Sequence, residues 1–413
     1  MEPLLVVALV MIVAKMGAEL WLEAINRAHV RAHADHIPEA LRNAVDAPTY
    51  ARSGEYTLAR SRFSTLSSVW QALWLCAMIA TPLLSMVFGK FHGWLGDGAG
   101  APLAVMLTLA LLGLPDFLWD WWDHFVIEAK FGFNKSTPQL WVIDKVKETV
   151  VSLVIAYPLL WLIFWVIGRL GELWWIWAWG ITVAFVVVLT FVGPVLIMPI
   201  FNKFTPLPEG DLRTRLMALA KKTAFRAASI QIMDGSKRSG HSNAFFAGFG
   251  SMRKIVLFDT LIEQLEPVEL EAVLAHEIGH NKLGHNPQRL IVLAVMAFVG
   301  FAVIGWLLSS PSFAGAFGFE AIAGQIGPVF LLFMLLAGVV TFWITPLHSI
   351  SSRRHEYQAD AFARNTMGTS EPLIQALRKL HIKNLGNLVP HPWYSRFYYS
   401  HPTILEREAA LRK

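Results

Sequence analysis

Residues 173–200 read Leu-Trp-Trp-Ile-Trp-Ala-Trp-Gly-Ile-Thr-Val-Ala-Phe-Val-Val-Val-Leu-Thr-Phe-Val-Gly-Pro-Val-Leu-Ile-Met-Pro-Ile, 28 positions without a charge. About 20 apolar residues are enough for a helix to cross the hydrocarbon of a bilayer. A soluble core does not need an uncharged run of that length. Working outward, six further apolar stretches lie near 3–20, 64–89, 98–115, 149–168, 288–309 and 326–347. The weakest is the first, which Lys15 and Glu19 interrupt. It does not read as a cleaved leader, because no basic residue precedes its apolar run. The composition agrees: 55% of the 413 residues are hydrophobic and only 16% charged, where a soluble chain carries about 25%. The expectation is a mainly α, polytopic protein with seven transmembrane helices.

The charges that remain are gathered between these runs. Segments 24–63, 129–148, 201–289 and 351–413 hold six, four, twelve and ten of the 35 Lys and Arg residues. With seven spans all four fall on one side, and basic loops face the cytosol. This predicts an outside N-terminus and a cytosolic C-terminus. The net charge of +5 is then a matter of topology, and no nucleic-acid partner is implied. The single cysteine, Cys76, lies in the second apolar run, which excludes an intrachain disulfide and a thiolate metal site.

Tryptophans cluster at 119, 121 and 122 and again at 174, 175, 177 and 179, as expected of an interfacial aromatic belt. Asp116, Asp120 and Asp123 beside the first cluster are expected to face a watery interior, since acids avoid lipid. The chain divides into helices 1–5 over 1–200, a soluble insert over 201–287, helices 6 and 7 over 288–350, and a cytosolic segment over 351–413. In the insert, Leu212, Leu216 and Leu219 mark an amphipathic helix. Strand-like runs follow at 229–234, 243–247 and 254–258. A capping box at Thr260 and Glu263 is expected to open a helix, and Pro267 opens the next.

That next helix carries His276-Glu277-Ile278-Gly279-His280. Helical residues four apart lie about 40° apart around the axis, so two imidazoles can meet one zinc ion while Glu277 reaches a water on it. Such a site activates water to attack a peptide carbonyl, with Glu277 as general base. A third ligand is found in Glu356, within the run 353–363; Asp360, four residues on, shares its face and is expected to hold the outer N–H of His276. His285 is expected to point away on a continuing helix, and His355 is expected to be structural.

At these residues the chain resembles the type I CAAX prenyl proteases, integral-membrane zinc endopeptidases. The likeness spans nearly the whole chain. It includes Phe125-Val-Ile-Glu-Ala-Lys-Phe-Gly-Phe-Asn-Lys135, Pro199 to Pro206, Ser239-Gly-His-Ser-Asn-Ala244, the 276–280 motif, Arg353 to Ala363 and Tyr399-Ser-His-Pro-Thr403. The resemblance implies a seven-helix barrel around a watery chamber, with a gluzincin-like α+β domain holding one zinc at the cytosolic end. It implies that Asn243 and Ala244 lie on an edge strand pairing with substrate backbone. His401 and Arg407 become candidates for steadying the oxyanion or gripping the peptide. The implied partners are a peptide or protein substrate, prenylated or not, and membrane lipid. A bacterial cytoplasmic membrane, or the endoplasmic reticulum in a eukaryote, is the expected location. Two other readings remain open: a membrane quality-control protease without prenyl dependence, and a non-catalytic lipid binder with a structural zinc.

Overall fold

A computed structural model of the chain describes residues 2–226, 228–247, 253–322 and 324–413. Among the described residues, six helices are long and apolar enough to cross a membrane: Pro3–Ala32, Ala47–Ala80, Pro138–Ile167, Gly171–Phe201, His285–Leu308 and Ile326–Met367. A seventh candidate is broken. Gly100–Leu112 and Asp116–Phe131 meet at 46°, where Gly113 and Pro115 interrupt the ladder. The interruption in the first span is resolved locally, because Lys15 Nζ meets Glu19 Oε1 one turn on at 2.7 Å.

Apolar side chains lie on both faces of these helices. Leu84, Phe88, Val105, Val329 and Leu331 pack inward, while Val7, Leu73, Val154, Val188, Ile291 and Trp306 are exposed. An outward apolar surface of this kind suits hydrocarbon and not water. Trp122 and Trp177 share that outer surface, whereas Trp174 is buried. Of the three aspartates, Asp120 is held by Lys145 at 3.1 Å and Asp123 pairs with Arg60; Asp116 is exposed.

A second core, separate from the first, gathers Leu216, Ile230, Leu257, Leu274 and Ile278 with Ala363, Ile374 and Leu411. Residues of the insert and of the C-terminal segment, far apart in sequence, therefore share one hydrophobic interior. A small sheet lies on it. Its strands are β1 (Phe204–Pro206), β2 (Ser229–Met233), β3 (Ala244–Ala247) and β4 (Lys254–Phe258), in the order β1-β2-β4-β3. β2 and β4 are parallel, with Ile230 opposite Ile255, and β3 runs antiparallel to β4 with Ala244 opposite Leu257. Among the described residues β3 is an edge strand.

Two local expectations are corrected. The helix Asp259–Gln264 is capped by Phe258 and has no box at Thr260, because the Thr260 hydroxyl donates instead to the His241 carbonyl at 3.1 Å. The capping box sits one helix later, between Glu266 and Glu269, and Pro267 follows it. The second correction is that this later helix, Pro267–Lys282, does not continue to His285. Gly284 turns the chain at φ +73° and a new helix, His285–Leu308, begins. Only glycine adopts that backbone conformation at little cost.

Candidate active site

Two helices build the site, Pro267–Lys282 and Thr345–Met367. They approach closely at Gly279. A Cβ there would stand 3.1 Å from the Ala359 Cα and 3.2 Å from the Phe362 Cβ, so the glycine lets the two backbones come near enough for their side chains to meet. His276 and His280 sit on one face of the first helix and Glu356 on the facing side of the second; all three are buried. One ligand atom from each lies within 4.8 Å of the others.

The outer hydrogen bonds aim these atoms. His276 Nδ1 lies 2.8 Å from Asp360 Oδ1. A carboxylate only accepts, so Nδ1 carries the proton and Nε2 presents its lone pair inward. His280 is aimed through a different relay. Its Nδ1 is 2.9 Å from Nδ1 of His285, whose Nε2 lies 3.0 Å from Gln358 Oε1. With the amide oxygen accepting from His285 Nε2, His285 Nδ1 is the acceptor for His280 Nδ1–H, and His280 Nε2 also keeps a lone pair. His285 is therefore turned toward the site, contrary to the sequence expectation, because Gly284 reverses its course. His355 stacks on His285 at 4.1 Å between ring centroids.

The two Nε2 atoms stand 3.2 Å apart; with both rings neutral, two lone pairs face one another. Glu356 Oε1 lies 3.2 Å from His280 Nε2, and Glu356 Oε2 is buried without a hydrogen-bond partner. A buried, unpartnered carboxylate oxygen beside two inward lone pairs is a costly arrangement on its own. A divalent cation at their meeting point satisfies all three. The residues present thus fit a metal ion with nitrogen and oxygen donors.

Arg407 closes the site from the helix Ile404–Leu411. Its Nε and Nη2 donate to the Asp360 carboxylate at 2.9 and 2.6 Å, and its Nη1 stands 3.6 Å from Glu356 Oε2. The guanidinium is buried and its fork is already engaged. His401 is different: its side chain is 63% exposed, with Nε2 3.5 Å from Glu356 Oε1. Glu277 has no hydrogen bond to its carboxylate among the described residues. Burial pushes its carboxyl above the usual range, opposed by His276 and His280. A cavity of about 410 Å³ opens beside His401 and Arg407, lined by Leu377, Leu380, Asn384 and Pro402.

Asn243 and Ala244 lie at the start of β3. The Asn243 carbonyl accepts from Phe258 N at 3.1 Å. Just before them, Ser239 bridges Asn134 and His241 reaches Glu128. Sequence reasoning quoted both stretches but saw no role for Glu128, His241 or Gln358. Their signal is pairing across more than 70 residues, which spacing along one helix does not reveal.

Residues 26–203 match the family described as CAAX prenyl protease N-terminal, five membrane helices. Residues 206–413 match Peptidase family M48. The chain is 36% identical over 403 residues to CAAX prenyl protease 1 of Saccharomyces cerevisiae, covering 91% of this chain and 88% of that protein. With the CAAX prenyl protease 1 homolog of Homo sapiens it shares 33% identity over 429 residues, covering 91% and 89%. The crystal structure of S. mikatae Ste24p superposes with a TM-score of 0.91 at 30% identity, covering 100% of this chain and 99% of that one. The helices, the buried metal-fitting triad and these relatives agree, and the chain belongs to peptidase family M48 as a multi-pass membrane metallopeptidase.

Proposed function

We propose that the chain is a zinc endopeptidase cutting peptide bonds near the C-terminus of prenylated or other membrane-associated proteins. The observation that carries this is the convergence of His276 Nε2, His280 Nε2 and a Glu356 carboxylate oxygen within 4.8 Å. Two imidazoles and one carboxylate without a thiolate suit zinc in a catalytic setting, with a coordination position left open. When bound, the ion polarises the scissile carbonyl and makes water more acidic.

The chain's own residues then have separate tasks. Glu277 takes the proton from the attacking water and delivers it to the leaving amine nitrogen. Its raised proton affinity, a consequence of burial, suits a group that must accept and then give up a proton. Asp360 fixes the tautomer of His276, and Arg407 holds Asp360 in place. The guanidinium acts on the reaction through Asp360 and does not grip the peptide. His401, exposed at the rim, is the group able to meet a substrate oxygen. Asn243 and Ala244 offer the edge of β3 to substrate backbone.

The insert 201–287 and the segment 351–413 act as one peptidase unit on the cytosolic side of a seven-helix barrel; their shared core supports this. The basic loops orient the N-terminus outward, in a bacterial cytoplasmic membrane or in the endoplasmic reticulum. The substrate class comes from relatives named CAAX prenyl proteases. Mass spectrometry of products from a farnesylated peptide and its unfarnesylated twin tests it. Removal of the last three residues from the farnesylated peptide alone supports the reading. Equal turnover of both would remove prenyl dependence, and no cleavage of either by metal-loaded protein would end it.

A further inference from the structure

A cleft of about 530 Å³ lies between the helix Ala47–Ala80 and the second arm of the broken helix, Asp116–Phe131. Its walls are apolar, built by Phe63, Leu66, Trp70, Leu118, Trp119 and Trp122. Arg62 and Lys130 also line it. The two helices run in opposite directions, and Arg52 Nη2 donates to the Phe131 carbonyl at 2.9 Å, tying the start of one to the end of the other. Arg62 and Lys130 therefore belong to the same end of the cleft. At a rise of about 1.5 Å per residue, Trp70 lies about 12 Å from Arg62 along its helix, and Leu118 about 18 Å from Lys130 along the other. The cleft has a cationic mouth and a deep apolar floor.

The charges at that mouth are unlike their neighbours. Arg60 pairs with Asp123 and Glu128, Lys145 with Asp120 and Glu148, and Arg238 with Asp144. Arg62 and Lys130 are exposed, and among the described residues neither meets a carboxylate. Lys130 lies only over the Phe131 ring, 5.3 Å from its centroid. Two free cations above an apolar trough complement a molecule with an anionic head and a hydrocarbon tail.

We propose that this cleft is a binding site for an anionic phospholipid, its phosphate at Arg62 and Lys130 and one acyl chain along Trp70, Trp119 and Trp122. Basic residues at the edge of a membrane helix attract anionic headgroups, and aromatic rings favour that depth. A prenylated cysteine fits less well, because its thioether and isoprenoid bring no anion to the two cations.

The test is native mass spectrometry of the full-length protein released from mixed micelles containing phosphatidylglycerol or phosphatidylcholine. Phosphatidylglycerol should be retained about tenfold better. Arg62→Gln with Lys130→Gln should abolish that preference, while Arg42→Gln with Lys413→Gln, two exposed cations elsewhere, should preserve it. The Arg62/Lys130 variant should keep its metal content and its cleavage of an unprenylated peptide, which reports that it is folded. Equal retention of the two lipids, or a preference that survives the double substitution, overturns the proposal. Displacement of phosphatidylglycerol by farnesylcysteine methyl ester also overturns it, assigning the cleft to the isoprenoid.

Discussion

His241 Nε2 lies 3.3 Å from Glu128 Oε2, which joins the approach to β3 to the turn that ends the broken membrane helix. The contact is one of several on the same residue. His241 Nδ1 is 3.2 Å from Asn384 Oδ1, its ring stacks on Phe133 at 4.2 Å, and its carbonyl accepts from Thr260. Glu128 in turn accepts from Tyr56 at 2.6 Å and from Arg60 at 3.1 Å. Three residues after His241, β3 begins. The position of the edge strand is therefore set by side chains from the membrane helices.

His241→Ala should raise KM about tenfold and change kcat little, with metal content unchanged. The hydrogen bond to Glu128 raises the His241 pKa against burial, so the ring holds its charge to higher pH than an ordinary histidine. A raised folded-state pKa means that the contact is fully present below the ordinary histidine value and is lost as pH rises through the raised one. KM of the wild type should climb on that alkaline side. Asn384 also favours the charged ring, and Arg60 opposes it. Steady-state kinetics from pH 6 to 9 on wild type and Glu128→Gln decides the matter: the variant should lose the alkaline rise, and an identical profile refutes the role.

Glu277→Gln should keep the metal and lose activity by about 10²- to 10⁴-fold, the usual reach of general acid–base catalysis. Glu356→Ala should lose both, since it removes a ligand and leaves the His276 and His280 lone pairs facing one another 3.2 Å apart. Metal analysis of the purified variants beside a peptide-cleavage assay separates the two outcomes.

The spacing of His276 and His280 was legible in the sequence because it is a property of one helix. Glu356 and Asp360 were legible for the same reason on a second helix, although nothing in the sequence states that Gly279 faces that helix so closely that a Cβ there would stand 3.1 Å from the Ala359 Cα. The apolar runs pointed to the helices that are long and apolar enough to cross a membrane, since lipid imposes its thickness on every span. What escaped was decided by single backbone angles and distant pairings. Gly284 at φ +73° returns His285 to His280, where a continuing helix would have carried it away. That Arg407 places its fork on Asp360 was likewise not to be read from spacing. The second arm past the 46° break, Asp116–Phe131, also escaped, because the apolar run 98–115 stops at the break and three aspartates follow.

Asp360→Asn should weaken metal binding about 10- to 100-fold, the range seen when a partner behind a ligating histidine is changed. Arg407→Ala leaves the buried Asp360 carboxylate with His276 Nδ1 as its one remaining charged partner among the described residues and should destabilise the fold by up to about 3–5 kcal/mol. Arg407→Lys keeps the charge but not the two-pronged geometry and should fall between. Because both residues act on His276 through one chain of contacts, their effects should be far from additive. A double-mutant cycle on thermal stability and metal affinity measures this, and simple additivity would mean that Arg407 works independently of Asp360.

Removal of the metal should make stability fall as pH rises, the reverse of the usual acid sensitivity of carboxylate-rich sites. In the metal-free protein burial disfavours the charged His276 ring, but Asp360 and Glu356 outweigh it and raise the pKa to about 9. The imidazolium is thus the stable form there, and its contribution is complete below about 6.5. It is lost as pH rises through about 9. Metal binding takes the same Nε2 lone pair that the proton occupies, so each metal ion bound below about pH 9 displaces a proton and its affinity rises with pH. Thermal melts at pH 6.5, 7.5 and 9 should show the chelated protein losing stability across that range. The metal-loaded protein, whose His276 no longer titrates, should lose much less. Parallel curves for the two forms would mean that His276 is not where proton and metal compete.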